Sequence, residues 1–291
     1  MGMQRPDLQV DSVQQIEVNG IHMGCLQMGR HEGEGAEQPT VVFIHGFTGC
    51  ATNWGSLLKH LVEHGMHVIS LEMLGHGLSS VPEDPCRYAI EHCQEDIVAA
   101  LSSLGIAAGQ AILVGYSMGG RIALYTALSG YFRALLLESA SPGLSSPEER
   151  EQRRRSDEAL ANCIEDYGIE AFVNYWERRP IFATQEKLPY RIREALRQQR
   201  LRNSPRGLAN SLRGVGTGAQ PAIHDHLETI AVPVLLLTGE EDQKFCAVAR
   251  DMAERFPQAR HHIVPGAGHT IHMEQPEEFE QLVYTFCRSV P

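Results

Sequence analysis

Three short segments carry residues whose types and spacing could do chemistry. Gly115-Tyr116-Ser117-Met118-Gly119 follows an apolar run at 111–114 and opens a helical pattern. A G-x-S-x-G spacing between strand and helix makes a sharp elbow, in which the glycines let the backbone turn and the serine Oγ stands clear of the strand end. A serine hydroxyl is a poor nucleophile or base until an imidazole takes its proton. Gly266-Ala267-Gly268-His269 offers one in a glycine-rich turn, and Gly239-Glu240-Glu241-Asp242 offers an acid after the apolar run 234–237. The order serine, acid, histidine is that of an elbow triad. Ser117, Asp242 and His269 are therefore the candidate catalytic residues, with Asp242 holding the imidazole tautomer and offsetting its charge. Glu240 and Glu241 compete for the acid's place and His272 for the base's; two turn residues after Gly239 place Asp242 best.

Such a serine needs donors where negative charge develops. The N–H of Met118, at the start of the helix, is one. His45-Gly46-Phe47 directly follows the apolar run 41–44, which makes the Phe47 N–H the second candidate oxyanion donor. Gly75-His76-Gly77 is a further turn, and its histidine reads as structural.

The elements that must position these residues form a regular alternation. Asn19-Gly20 between 15–18 and 21–27 is a hairpin signal. Runs at 41–44, 68–71, 111–114, 134–137, 234–237 and 262–264 read as strands, and their near-continuous apolar character implies a sheet covered on both faces. Helices are expected near 53–64, 89–104, 118–129, 245–256 and 276–288. The alternation gives a doubly wound α/β fold, and with the elbow and the serine, acid, histidine order an α/β-hydrolase fold is expected, a mostly parallel central sheet flanked by helices. From 144 to 230 no strand signal appears, only helical stretches at 147–165, 169–177, 188–201 and 206–213. A segment of that length cannot be a simple loop. It is expected to be an inserted helical cap (144–230) between two parts of the core (14–143 and 231–291), after a flexible tail at 1–13.

Composition excludes several classes. A net charge of −11 argues against a nucleic-acid partner. No run of about 18 apolar residues suggests a membrane span. The N-terminus lacks an apolar signal core and a Ser or Thr at position 6, so a cytoplasmic location is expected. Seven scattered cysteines without C-x-x-C spacing, and fourteen histidines without H-E-x-x-H, suggest neither a disulfide framework nor a metal site. No cofactor is expected. The charge is uneven: residues 146–213 hold 14 Lys/Arg against 11 Asp/Glu, leaving 11 against 25 elsewhere. A basic segment in an acidic chain suggests an anionic ligand there, although solvated helix faces would give the same count.

To this point the residues specify an activated serine with an oxyanion hole. Beyond it, Gly115–Arg121, Glu138–Leu144, Gly239–Phe245, Arg153-Arg154-Arg155-Ser156-Asp157, Trp176 with Pro180-Ile181-Phe182, and Gly214–Pro221 closely resemble 2-succinyl-6-hydroxy-2,4-cyclohexadiene-1-carboxylate (SHCHC) synthase, a lyase family of menaquinone biosynthesis. The likeness runs from about 40 to 283. One departure is Glu72, where most members have Asp. The resemblance implies elimination of pyruvate from a small-molecule tricarboxylate substrate. By matching motifs, Arg121, Arg153 and Arg200 are implied to bind its carboxylates, bidentately where the guanidinium fork allows; Arg197 and Arg202 are alternatives to Arg200. Tyr116 and Trp176 are implied as pocket walls. Ser117 would then act as a base, without an acyl-enzyme. A carboxylesterase or C–C hydrolase shares the triad, and a non-catalytic binding module shares the fold; the basic cap speaks against the first and the intact triad against the second.

Overall fold

A computed structural model describes residues 12–29 and 39–290. The tail expected at 1–13 lies, but for residues 12 and 13, outside the described residues. Eight strands form one sheet: β1 (Gln14–Val18), β2 (Ile21–Met28), β3 (Thr40–Ile44), β4 (His67–Leu71), β5 (Ala111–Tyr116), β6 (Ala134–Glu138), β7 (Val234–Gly239) and β8 (Ala259–Val264), in the order β1-β2-β4-β3-β5-β6-β7-β8. β1 and β2 are a hairpin turning on Asn19 and Gly20, whose φ values of 46° and 75° are those the Asn-Gly turn requires. β2 runs antiparallel to β4, and every pairing from β4 to β8 is parallel.

Alternate residues of the central strands feed opposite faces, as the pleat dictates. Val42, Ile44 and Leu113 join the core under α2 (Ile90–Ser103) and α3 (Met118–Ala127). Val41, Phe43, Ile112 and Val114 join the core on the other face, with α1 (Leu57–Glu63) and Phe279 near the C-terminus. Burial on both sides explains why these strands carry no polar alternation.

Between β6 and β7 the described chain is helical: α4 (Pro147–Trp176), a 3₁₀ turn (Pro180–Lys187), α5 (Tyr190–Leu201), α6 (Pro205–Val215) and a second 3₁₀ turn (His224–Thr229). Ser146 and Ser204 cap α4 and α6 by accepting from the third amide of each helix (3.2 and 3.1 Å), and proline follows each serine at the first helical position. α4 is broken at Gly168 (φ 78°, ψ 177°), so the stretches expected at 147–165 and 169–177 are two helical segments on either side of that residue. This helical stretch has its own apolar core of Ala161, Ile164, Phe172, Val173, Leu208 and Leu212, against which Phe47 packs. α6 sits on the Gly75-His76-Gly77 turn with no side chain between: a Cβ on Gly207 would lie 2.4 Å from the Gly75 carbonyl oxygen. The chain returns through β7 to α7 (Gln243–Ala253), β8, α8 (Ile271–Glu274) and α9 (Pro276–Ser289). Among the described residues no helix is long and apolar enough to cross a membrane.

Candidate active site

Ser117 occupies the turn between β5 and α3 at φ 50°, ψ −109°, a conformation that side-chain-bearing residues rarely adopt. Its surroundings impose it. A Cβ on Gly115 would lie 2.4 Å from the Gly119 oxygen, and one on Gly119 would lie 2.1 Å from the Ile44 oxygen. Only glycine fits either place, so β5, α3 and the end of β3 close tightly around the serine. The Ser117 N–H donates to the Glu138 carbonyl on β6 (2.9 Å).

The three segments singled out in the sequence meet at this turn. His269 Nε2 lies 2.9 Å from Ser117 Oγ, and His269 Nδ1 lies 2.6 Å from Asp242 Oδ2. Asp242 also caps α7, its other carboxylate oxygen accepting from the Phe245 N–H at 3.4 Å. The amides on either side of His269 are held as well: Gly268 and Thr270 donate to the Glu274 carboxylate at 2.6 and 3.2 Å. The competitors are engaged elsewhere. Glu240 accepts from the Gly266 N–H (3.0 Å), and Glu241 pairs with Lys187 (2.6 Å). His272 is buried against Glu138, to which its Nδ1 is bonded at 2.8 Å.

Met118 opens α3, so its N–H is one of the first-turn amides that a helix leaves without an internal acceptor. Across from it, residues 46–49 form a turn closed by Gly49 N–H to Gly46 O at 2.9 Å, and among the described residues no acceptor pairs with the Phe47 N–H. Two buried imidazoles brace this turn. His45 accepts from the Met73 N–H (3.1 Å) and His76 from the Thr48 N–H (3.3 Å), each through Nε2. Each Nδ1 faces a carbonyl, of Gly46 and of Leu74. Burial pushes His45 down to about 4 and His76 to about 3, so both rings are neutral bracing groups at ordinary pH.

Ser117 and His269 open into a cavity of about 210 Å³ that Phe47, Met118, Arg121, Arg153, Trp176 and Lys244 also line. Arg121 is 8% exposed and donates to the Val215 carbonyl (2.9 Å) and to the Gln220 side chain. No carboxylate pairs with it among the described residues. Burial, and then the charge of Arg153, lower its pKa to about 10, so it stays cationic at neutral pH. Arg153 is half-exposed and bonded to Asp157 at 2.8 Å. Trp176 packs edge-on against Phe47 (5.3 Å between centroids).

Arg200 and Tyr116 line a neighbouring cavity instead, of about 30 Å³; Phe47 and Phe182 line both. Arg200 is held by Glu177 (3.4 Å) and Gln185 (3.2 Å), with Phe182 under its guanidinium at 5.3 Å. The Tyr116 hydroxyl is bonded to Thr270 (2.8 Å). Of the alternatives, Arg197 is bound to Glu177 (2.8 Å) and Asn174 (2.7 Å), while Arg202 is exposed.

The α/β hydrolase family model matches residues 41–282. A Bacillus subtilis (strain 168) protein provisionally named 2-succinyl-6-hydroxy-2,4-cyclohexadiene-1-carboxylate synthase is 42% identical over 89% of this chain and 93% of its own length. The Salmonella agona synthase of that name is 33% identical over 82% of this chain and 89% of its own. The chain belongs to the SHCHC synthase family of α/β-hydrolases.

MenH from S. aureus superposes on this family member with a TM-score of 0.83 at 34% identity, covering 90% of this chain and 97% of that one. A malate-bound thermophilic esterase from Thermogutta terrifontis reaches 0.79 at 25% identity, covering 95% and 99%. The frame is thus common to SHCHC synthases and esterases, and the side chains around the serine must carry the distinction.

Several residues of the site have no local sequence signal. Lys244 lies in the first turn of α7 and reads as a solvated charge. Gln220 sits in the Gly214–Pro221 segment, but nothing in its spacing points to Arg121. Glu138 reads as the polar end of a strand, yet it is fully buried on His272. Glu72, the departure from the usual Asp, is also buried. Its carboxylate accepts from the Ala51 N–H (3.1 Å) and the Leu78 N–H (2.6 Å), tying the loops after β3 and β4 together.

Proposed function

We propose that the chain is a lyase that eliminates pyruvate from 2-succinyl-5-enolpyruvyl-6-hydroxy-3-cyclohexene-1-carboxylate to give SHCHC, in menaquinone biosynthesis. The helical insertion, 144–230, serves as a cap over the active site. One observation carries the reading: a buried cation without a carboxylate partner, Arg121, stands in the same cavity as a relayed serine. Burying a charge without a counterion is costly unless a ligand supplies one. A neutral ester would leave that cost in place, whereas a substrate with three carboxylates meets it.

The chemistry follows from the relay. His269 takes the Ser117 proton, and Ser117 Oγ removes the ring proton α to the succinyl ketone. The electron pair moves toward the ketone oxygen, within a hole formed by the Phe47 and Met118 N–H groups. It then returns through the ring double bond and breaks the bond to the enolpyruvyl oxygen, so pyruvate leaves as its enolate, to be protonated afterwards, and the ring becomes a diene. The proton ends on the imidazole, whose charge Asp242 offsets. Arg121 and Arg153 hold carboxylates from the cap side, and Trp176 forms a wall. Arg200 and Tyr116 act from the adjacent cavity, as the far wall of the binding region.

Pyruvate release from the enolpyruvyl substrate, followed beside a Ser117→Ala control and with p-nitrophenyl acetate in parallel, tests this. Release that vanishes in the control, with feeble ester cleavage, supports the lyase. Rapid ester cleavage without pyruvate would instead favour an esterase, the reading that the Thermogutta likeness keeps in view.

A further inference from the structure

The turn bearing Phe47 contains an anomaly. Thr48 follows Phe47 at φ 67°, the conformation that type II turns require at their third position and that glycine or asparagine ordinarily supplies. Threonine is β-branched and poorly suited to it. Something outside the turn must impose it. The Thr48 N–H is held by His76, within the core (3.3 Å). Its carbonyl oxygen accepts two carboxamides from the insertion: Gln199 Nε2 at 2.7 Å, from α5, and Asn203 Nδ2 at 3.0 Å, just beyond it. Both side chains are buried, and Asn203 is itself braced by the Arg200 carbonyl (3.1 Å). Both polar groups of the Thr48 backbone are thus fixed, the carbonyl entirely by the cap.

From this geometry we infer that Gln199 and Asn203 are positioning residues for the oxyanion hole: by gripping the Thr48 carbonyl they hold the turn that aims the Phe47 N–H. The inference rests on the serine-relay reading given above. It makes one oxyanion donor dependent on the seating of the cap, although neither carboxamide lines the cavity that holds Ser117. Loss of the grip lets Thr48 relax toward negative φ and turns the Phe47 amide away. Because an oxyanion donor acts chiefly in the transition state, the loss falls on kcat and not on KM.

The test uses Asn203→Leu and Gln199→Met, which keep side-chain volume and remove the donor. Rates of pyruvate release are normalised to folded protein by the near-ultraviolet signal. Each variant is expected to lose about tenfold or more in kcat with KM moved less than about threefold, approaching the loss typical of a removed oxyanion donor in the double variant. Asn203→Gln, which restores a carboxamide, is expected to recover part of the rate. Phosphorylation of Ser117 by paraoxon, followed by p-nitrophenol release, is expected to slow in parallel, since the phosphoryl oxygen enters the same hole. Variants that lose only melting temperature while keeping kcat and the paraoxon rate would overturn the inference. A wild type that releases no pyruvate, yet whose paraoxon rate still falls in the variants, would refute the proposed reaction and leave the positioning role standing.

Discussion

The imidazole of His272 and the carboxylate of Glu138 are bonded at 2.8 Å with both side chains almost wholly out of solvent. The Tyr116 ring packs against both histidines of this end of the sheet, its centroid 4.8 Å from that of His272 and 5.5 Å from that of His269. Glu138 also accepts from the His272 backbone N–H (3.1 Å), so it anchors the segment that carries His269. Removing one member of such a pair leaves a buried polar group without its partner. Glu138→Ala is expected to destabilise the fold by about 3–5 kcal/mol, read by denaturant unfolding. Glu138→Gln, which keeps an acceptor, should lose less.

Asp242 is bonded to His269 Nδ1 at 2.6 Å, which fixes the tautomer that leaves Nε2 free to accept from Ser117. Asp242→Asn offers a donor as readily as an acceptor and permits the wrong tautomer. A fall in kcat of roughly 10³–10⁴ is expected with little change in melting temperature. Steady-state pyruvate release and a thermal melt check both halves.

Arg121 is expected to matter through its charge and its fork together. Arg121→Met should cost about 2–5 kcal/mol in kcat/KM toward the tricarboxylate. Arg121→Lys should recover only part of it, because an ammonium cannot serve Val215, Gln220 and a carboxylate at once. Equal kcat/KM in all three proteins would remove Arg121 from substrate binding.

The two bracing histidines set a pH dependence of stability. Their folded pKa values, about 4 for His45 and about 3 for His76, lie below the ordinary 6.5. The unfolded chain therefore binds more protons than the folded one between those limits, and stability falls as pH drops below about 6.5. At pH 5 each ring should withdraw about 2 kcal/mol relative to pH 8. Urea unfolding measured from pH 8 to pH 5 should show the slope, and His76→Gln should flatten it.

The sequence carried the local parts of this architecture and little of what joins them. The elbow, the apolar run before Asp242, the glycine-rich turn that carries His269 and the central strands are legible because one short pattern defines each. β8 was visible only as 262–264, since it is an edge strand whose outer residues alternate toward solvent and leave no apolar run. The first helix begins at Leu57 and not near 53, because Gly55 takes φ 59° and turns the chain just before it. The antiparallel pairing of β2 with β4 has no local signature. Nor do the bonds between Arg121 and Gln220, 99 residues apart, or between Thr48 and Asn203, 155 apart. Arg200 illustrates the limit well: its basic segment was evident, but Glu177 and Gln185, which turn it into a second cavity, could not be read as its neighbours.

The unpartnered charge of Arg121 has a thermodynamic consequence for the protein as a reagent. An empty site that keeps a buried guanidinium without a counterion is less stable than the same site filled, so occupancy and melting temperature are linked. A carboxylate ligand at a hundred times its Kd should raise stability by about 2.7 kcal/mol. The shift should disappear in Arg121→Met. Citrate, malonate or product analogues can therefore be ranked by heat alone, without any assay of turnover, and storage in such a buffer should prolong the life of the folded chain.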